Sequence, residues 1–134
     1  MFMYLQKNKK GFTLIELMVV VAIIGILALL GLRLYTGQQD KAKEALVKAN
    51  AGTVQTLVQS ELADGPITGD AASVVTSLNN IGHGMQNPFG GTTVIASSGT
   101  AEGTVVITKN SDNNFTITGY GKGGSALDAL TAQR

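Results

Sequence analysis

The sequence predicts an α+β protein, with a long N-terminal helix packed against a small C-terminal antiparallel sheet. Two observations carry this prediction. The 21 residues Phe12–Leu32 are largely apolar, and no proline occurs between Phe12 and Gly65, so one helix can run through this whole segment. Most of the 17 glycines lie beyond Pro66, among Thr, Ser and Asn residues that favour strands and turns.

Composition restricts the class of protein before any motif is considered. The chain has 134 residues, enough for one small domain, and a formal charge of +1 with 14% charged residues. This pattern lacks the dense basic patch of a nucleic-acid-binding protein. The chain has no cysteine, which excludes disulfides and cysteine-based metal or redox sites. We therefore predict no cofactor, no metal site and no specific nucleic-acid partner.

The N-terminus combines a basic segment with an apolar run long enough to cross a membrane. At about 1.5 Å per residue, Phe12–Leu32 reach about 31 Å as a helix, which matches the hydrocarbon core of a bilayer. No cleavage site of the Ala-x-Ala kind follows this run. Basic residues stay in the cytoplasm, so we expect the chain beyond Arg33 to lie on the outer side. The basic residues before the run are Lys7, Lys9 and Lys10.

Glu16 is the one acid within this apolar run. A carboxylate costs about 2.5–3.5 kcal/mol near the centre of a membrane helix, and less towards its end. In one interpretation, Glu16 lies at interface depth, four residues after Phe12, and reaches the headgroups. In the other, it meets a positive partner inside a protein assembly. The best such partner is a free amine on Phe12, created by cleavage after Gly11.

The stretch KKGFTLIEL, from Lys9 to Leu17, resembles the processing motif of type IV pilins and the related pseudopilins. The resemblance covers about the first 60 residues well and the remainder only in architecture, and it implies the pilin fold. It also implies that residues 1–11 are a leader peptide. A prepilin peptidase would remove this leader between Gly11 and Phe12 on the cytoplasmic side and methylate the Phe12 amine.

The same resemblance gives Glu16 a role in assembly. It implies that the Glu16 carboxylate pairs with the Phe12 ammonium of an adjacent subunit. In lipid, Glu16 is expected to have no partner that offsets its cost, so pairing would favour leaving the membrane and entering a filament. A buried pair of this kind need not add net stability, but it can set the register between subunits.

Residues 34–64 are predicted to continue the membrane helix (12–33) as an amphipathic helix. Two lines of mostly apolar residues follow the helical period and together need a covering layer. Asp64-Gly65-Pro66 ends the helix, because proline cannot continue it. The helix would have about 50 residues and a length of about 75 Å, which favours a filament core. The first line contains Ala42, Leu46, Ala49, Thr53 and Leu57, and the second contains Val47, Ala51, Val54, Val58 and Leu62.

Many pilins have a proline in the mature helix where this chain has Arg33, so Gly25, Gly31 and Gly37 are its nearest weak points. Each glycine costs about 1 kcal/mol relative to alanine in a helix. The glycines either permit close packing of helices through small residues or allow this stretch to loosen when the subunit leaves the membrane. The sequence leaves both interpretations open.

Residues 65–91 are predicted to form a loop with one short helix near Ala71–Leu78. The motif QNPFGGT, residues 86–92, is a turn signal, because Pro88 fixes φ and the two glycines permit positive φ. It resembles the Asn-Pro-aromatic turn before the sheet in several pilins and pseudopilins. His83 stands between two glycines, and a single histidine in such a loop is more often a loop residue than a metal ligand.

Residues 92–120 are predicted to form a three-stranded antiparallel meander that covers the helix. SSGTAEG and NSDNN are the expected hairpin turns, and the second lacks the carboxylates of a calcium site. Residues 121–134 are a C-terminal tail, in which Ala126–Ala132 is either a short helix or mobile. The predicted strands are Thr92–Ser97, Thr104–Lys109 and Phe115–Tyr120.

No set of residues indicates catalysis, because the chain has one histidine, no cysteine and no pair of carboxylates at a common site. The resemblance implies a structural subunit of a type IV pilus-like filament, with roles in adhesion, motility or DNA uptake. Two alternatives stay open. One is a pseudopilin of a type II secretion or competence machine. The other is a single-span, membrane-anchored binding domain that does not polymerise, against which the motif with Glu16 argues.

The resemblance also implies partners and a location. The subunit is expected to bind copies of itself in a helical homopolymer, the prepilin peptidase, and the pilus or secretion assembly machinery. The precursor is expected in the inner, cytoplasmic membrane and the mature subunit in an extracellular filament on the cell surface. Removal of the leader takes away three of the ten basic residues and leaves all nine acids, so the filament should not attract DNA strongly along its length.

Overall fold

The computed structural model describes residues 11–81 and 84–134. The leader lysines and His83 lie outside the described residues. Helix α1 comprises Leu14–Asp64, 51 residues, which confirms one helix through the apolar run and the amphipathic segment. It ends where Gly65 and Pro66 predicted its end. The chain divides after Gly37 into two compact units, and each unit is described separately.

The unit before Gln38 consists mainly of the first half of α1. Between residues 11 and 37, the large apolar side chains are all exposed, from 47% for Val20 to 86% for Phe12. An 18-residue window of α1 reaches a mean hydropathy of 2.8, so α1 is long and apolar enough to cross a membrane.

The unit Gln38–Arg134 has a core built on one face of α1. The second apolar line of the sequence forms this face, and its five residues are at most 2% exposed, which confirms that part of the prediction. The first line is mostly uncovered: Leu46 is 56% exposed, and only Leu57 packs against the core. The prediction that one layer covers both lines is wrong, because the sheet covers a single side of the helix.

Helix α2 comprises Ala71–Asn80 and confirms the short helix predicted near Ala71–Leu78. Asp70 caps its N-terminus, because the Asp70 Oδ1 atom accepts a hydrogen bond of 2.9 Å from the backbone N–H of Ser73. The buried side chains of α2 are Val74 and Leu78, four residues apart on one face, and they join the same core as α1 and the sheet.

The sheet has four strands in the order β1-β2-β3-β4. Strands β2, β3 and β4 form an antiparallel meander, but β1 pairs with β2 in parallel, so the sheet is mixed. Gly119 in β3 permits close approach to α1, because a Cβ there would lie 2.9 Å from Val47 Cγ1. The strands are β1 (Ile95–Ala96), β2 (Val105–Ser111), β3 (Asn114–Tyr120) and β4 (Ala126–Gln133).

The sheet departs from the predicted three-stranded antiparallel meander at its first strand. The predicted strand Thr92–Ser97 contains only the two-residue β1. The segment SSGTAEG is not a hairpin turn, because it returns the chain to the same end of the sheet, with positive φ at Gly99 and Gly103. The second predicted turn, NSDNN, is confirmed between β2 and β3, where Asp112 pairs with Lys109 at 2.6 Å.

The predicted C-terminal tail is also wrong, because residues 126–133 form β4 along the free edge of β3. Alanine and leucine favour a helix in isolation, and this local preference suggested a helix. An unpaired strand edge offers a row of backbone hydrogen-bonding groups, and pairing with them overrides the local preference. Ala132 is fully buried in the core as a result.

Candidate functional site

The segment before α1 contains the two residues of the predicted cleavage site. Gly11, Phe12 and Thr13 precede the helix without regular secondary structure. Gly11 is exposed, and a Cβ at this position would meet no atom within 4 Å. Within the described residues, the bond between Gly11 and Phe12 is therefore unobstructed.

Thr13 and Glu16 form a capping box at the start of α1. The Glu16 Oε2 atom accepts hydrogen bonds from the backbone N–H and the Oγ1 hydroxyl of Thr13, both at 2.9 Å. The backbone N–H of Glu16 donates to Thr13 Oγ1 at 3.4 Å. In a capping box, the side chain of the residue before the helix accepts a hydrogen bond from the backbone N–H of the third helical residue. The side chain of that third residue accepts one from the backbone N–H of the residue before the helix. A carboxylate in the first turn also interacts favourably with the positive end of the helix dipole.

The capping box gives Glu16 a hydrogen-bonding partner within its own subunit, which the sequence analysis did not identify. The sequence contained the signal, because Thr-x-x-Glu before an apolar run is typical of a capping box. Both Thr13 donors use Oε2, and no donor to Glu16 Oε1 is found in residues 11–81 and 84–134. One carboxylate oxygen is engaged by Thr13, and the other accepts no hydrogen bond from the described residues.

Apolar side chains surround this carboxylate on the helix surface. Glu16 lines a shallow groove together with Phe12, Ile15, Val19 and Val20. These neighbours are between 47% and 86% exposed. A carboxylate at the edge of an apolar groove is chemically suited to a partner that combines a cation with apolar side chains. An N-terminal ammonium followed by an apolar helix is such a partner.

Gly25 and Gly31 lie within α1, which is helical throughout this stretch. No atom lies within 4 Å of a Cβ placed at either residue. Contacts within this chain therefore do not require glycine at these positions. Packing against another molecule and flexibility of the helix remain the two explanations.

Three long-range contacts connect the segment 122–131 to α1. None was predicted, because each joins residues 76 to 82 positions apart. Two of them are ion pairs, in which a hydrogen bond to the carboxylate and its charge raise the pKa of the lysine. Both lysines therefore keep their charge at neutral pH. The contacts are Lys48 Nζ to Asp128 Oδ2 at 2.8 Å, Lys122 Nζ to Asp40 Oδ2 at 2.6 Å, and Gln55 Nε2 to the Thr131 carbonyl at 2.7 Å.

Asn87 fixes the turn that the QNPFGGT motif predicted. Its Nδ2 atom donates to the carbonyls of Thr93 and Glu102 at 3.0 and 2.8 Å, and its Oδ1 atom accepts from the backbone N–H of Phe89 at 2.9 Å. Gly103 has φ 76°, and a Cβ there would overlap the Asn87 amide. The sequence predicted the turn from its proline and glycines, but it gave no sign of the distant carbonyls that hold the side chain.

A second groove lies between α1 and the loop at residues 84–88. It is open, and its walls are mostly uncharged. In the described part of the chain, no three His, Cys, Asp or Glu side chains lie together as a metal site would require. The lining residues are Leu46, Asn50, Thr53, Gly84, Met85, Gln86, Asn87 and Pro88.

Comparison with known proteins identifies relatives of this chain. The prokaryotic N-terminal methylation motif matches residues 6–32. A fimbrial protein of Eikenella corrodens is 52% identical over 60 residues, which cover 45% of this chain and 38% of the relative. A type IV major alpha-pilin of Moraxella bovis is 42% identical over 76 residues, covering 55% and 46%. The matched part therefore spans less than half the length of these two relatives.

A longer match comes from a fimbrial protein of Pseudomonas aeruginosa. It is 31% identical over 112 residues, which cover 84% of this chain and 68% of that protein. No solved structure gives a significant match. The fold agrees with the comparison, because a long apolar helix is followed by a small sheet on its second half. Gly11, Phe12 and Glu16 lie within the matched methylation motif. The chain belongs to the type IV pilin family.

Proposed function

We propose that this chain is a structural subunit of a type IV pilus, not an enzyme, and that it polymerises through the first half of α1. The observation that carries the proposal is the exposed apolar surface from Phe12 to Tyr35. Full burial of one large apolar side chain contributes about 1.5–3 kcal/mol. Such a surface is stable in lipid or against other copies of the helix, and the fimbrial relatives support the second environment.

Processing is proposed to precede assembly. A prepilin peptidase cuts between Gly11 and Phe12 at the cytoplasmic face and methylates the Phe12 amine. The unobstructed segment before α1 and the methylation motif over residues 6–32 support this step. The precursor then resides in the inner membrane, and the assembly machinery moves the mature subunit into a surface filament that serves adhesion, motility or DNA uptake.

Glu16 is proposed to pair with the Phe12 ammonium of a neighbouring subunit. Thr13 holds the Oε2 atom of Glu16, which leaves Oε1 for the incoming ammonium. At an effective dielectric constant of about 20, two charges about 4 Å apart attract by roughly 4 kcal/mol before desolvation is subtracted. Thr13 is thus a positioning residue, because it fixes the carboxylate on which the register between subunits depends.

Variants at Glu16 and Thr13 test this pairing. Glu16→Gln and Glu16→Ala should insert and be cleaved normally but assemble poorly, because the charge is lost. Thr13→Val removes the hydroxyl at nearly constant shape and should lower assembly less, whereas Thr13→Ser keeps the hydroxyl and should assemble at the parental level. The measurement is the ratio of surface filament to mature subunit in the membrane. Parental ratios for both Glu16 variants would mean that Glu16 is only an interfacial residue.

Electron microscopy of sheared surface filaments, with mass spectrometry of the subunit N-terminus, tests the whole proposal. We expect filaments whose subunits begin at methylated Phe12. A mature subunit that stays monomeric in the membrane would contradict polymerisation and favour an anchored binding domain. Filaments confined to the cell envelope, with secretion or DNA uptake impaired when the chain is deleted, would favour a pseudopilin.

Gly25 and Gly31 are proposed to let the helix loosen in the filament. Each glycine weakens a helix by about 1 kcal/mol relative to alanine, and neither is required by contacts within the chain. Hydrogen exchange on filaments should show fast exchange between Val21 and Arg33 relative to the rest of α1. Uniform protection through this stretch would refute the loosening and identify the glycines as packing residues.

A further inference from the structure

Charges on the exposed side of α1 are separated along the helix in the unit Gln38–Arg134. Lys41 lies near the start of this part of α1, and Glu61 and Asp64 lie in its last turns. All three side chains are exposed. None of them takes part in an ion pair or a side-chain hydrogen bond within the described residues, whereas Lys48 and Lys122 are both paired. These three charges are therefore available to another molecule.

The C-terminal end of α1 lacks the cation that such an end attracts. The last carbonyls of a helix carry the equivalent of about half a negative charge. The last turn of α1 contains no basic residue and ends at Asp64, with Glu61 one turn earlier. Asp70 follows at the start of α2. A cation from a second molecule would lower the electrostatic energy of this acidic end.

Lys41 of one copy is placed to supply this cation to the acidic end of α1 in a neighbouring copy. Lys41 and Glu61 are separated by 20 residues, or about 30 Å along the helix axis and about 160° around it. Lys41 lies on one flank of the exposed side of α1, and Glu61 lies on the other flank, where it lines a recess beside Val74 of α2. On the Lys41 side of this face, Ala45, Ala49 and Thr56 are small and exposed. Nearer the other flank, the loop at residues 84–88 lies beside Leu46, Asn50 and Thr53.

We propose that Lys41 of one subunit pairs with Glu61 and Asp64 of a parallel neighbour displaced by about 30 Å along the axis. This inference rests on the proposed function, because a filament places copies side by side in one direction. Each helix uses one flank for one neighbour and the opposite flank for another. The contact is therefore heterologous, and such a contact produces an open helical polymer, not a closed dimer.

This contact joins a different pair of subunits from the contact at Glu16. Phe12 and Glu16 are four residues apart, so their pairing requires neighbours displaced by only about 6 Å. A displacement of about 30 Å is about five times larger, so this contact joins a different neighbour. The two charge contacts thus fix the lattice in two directions, one at the N-terminus of α1 and one along its second half.

Charge reversal and rescue in the full-length chain test the proposal. Lys41→Glu, and separately Glu61→Lys with Asp64→Lys, should each lower the ratio of surface filament to mature membrane subunit about fivefold, because attraction becomes repulsion. Combining all three substitutions should restore the parental ratio within about twofold. Arg134→Glu is the control, because it reverses an exposed cation outside the helix with the same change of net charge. It should leave the ratio unchanged.

The level of cleaved subunit in the membrane shows whether each variant folds and is processed. A parental ratio for Lys41→Glu, or a triple variant no better than the single reversals, overturns the proposal. If only the acidic variants assemble poorly, and a calcium chelator reproduces their defect in the parental chain, a divalent cation and not a second copy occupies the acidic end. Failure of the proposed function is distinguishable, because the parental chain would then form no filament.

Discussion

The two units of this chain differ in whether their apolar surface is complete. In the unit Gln38–Arg134, Val54 and Phe115 are fully buried among side chains from the helices and the sheet. In the unit before Gln38, Leu29 is 72% exposed and Phe12 is 86% exposed. Since burial of apolar surface is the main driving force of folding, the second unit, Gln38–Arg134, is stabilised by its own core. The first unit depends on what surrounds it.

Their polar groups show the same difference. The Asn87 amide makes three hydrogen bonds within the chain, and no buried side-chain polar atom lacks a partner in the described residues. The Glu16 carboxylate is engaged at Oε2 by Thr13 and has no donor to Oε1 among those residues. An unused hydrogen-bonding atom beside unused apolar surface is what a contact between molecules requires. These features support the proposal that the first unit is a binding surface and the second a folded support.

The largest effect is expected at the proposed cleavage site between Gly11 and Phe12. Gly11→Trp should leave the precursor uncut and abolish filaments, because we expect the peptidase to admit only a small residue there. The chain itself has room for a side chain at this position, so the fold should be unaffected. Gly11→Ala is the size control and should retain most cleavage. Filaments whose subunits still begin at Met1 would contradict this prediction.

Two substitutions to alanine, one in each unit, compare how much each unit contributes to the free energy of unfolding. Phe115→Ala should lower the free energy of unfolding by about 3–5 kcal/mol, because it empties a fully buried site. Leu29→Ala should change it by less than about 0.5 kcal/mol in detergent micelles but should weaken filament assembly. Denaturant unfolding of the full chain in micelles, followed by circular dichroism, measures the first quantity. Equal destabilisation by both variants would remove the distinction between the units.

A smaller effect is expected at the Asn87 turn. Asn87→Ala leaves the Thr93 and Glu102 carbonyls without their donor and should cost about 1–3 kcal/mol of unfolding free energy. Asn113→Ala, in the exposed turn between β2 and β3, should stay within about 0.5 kcal/mol of the parent. The same unfolding measurement compares the two. A similar loss for Asn113→Ala would mean that asparagine in any turn has this effect.

The sequence was informative wherever the relevant signal is local. The length of α1, its end at Gly65-Pro66 and the buried line of Val47 to Leu62 follow from periodicity and from turn residues. The capping box is equally local, since Thr13 and Glu16 are three residues apart, and Thr-x-x-Glu is its signal in the sequence.

Contacts between distant residues were not predictable in the same way. Strand β4 replaced a predicted tail because the free edge of β3 overrode the helical preference of alanine and leucine. Asn87 binds carbonyls as far as 15 residues away, and no spacing rule identifies them. Leu46 was expected under a covering layer, but only the three-dimensional width of the sheet decides which side of a helix it covers.

The most direct test of the central claim is the structure of the assembled filament by electron cryomicroscopy. We expect parallel copies of α1 to cover the surface from Phe12 to Tyr35, with Glu16 Oε1 within about 4 Å of the Phe12 nitrogen of a neighbour, the contact distance of an ion pair. A filament held together through residues 38–134, with the surface from Phe12 to Tyr35 left uncovered, would contradict the account.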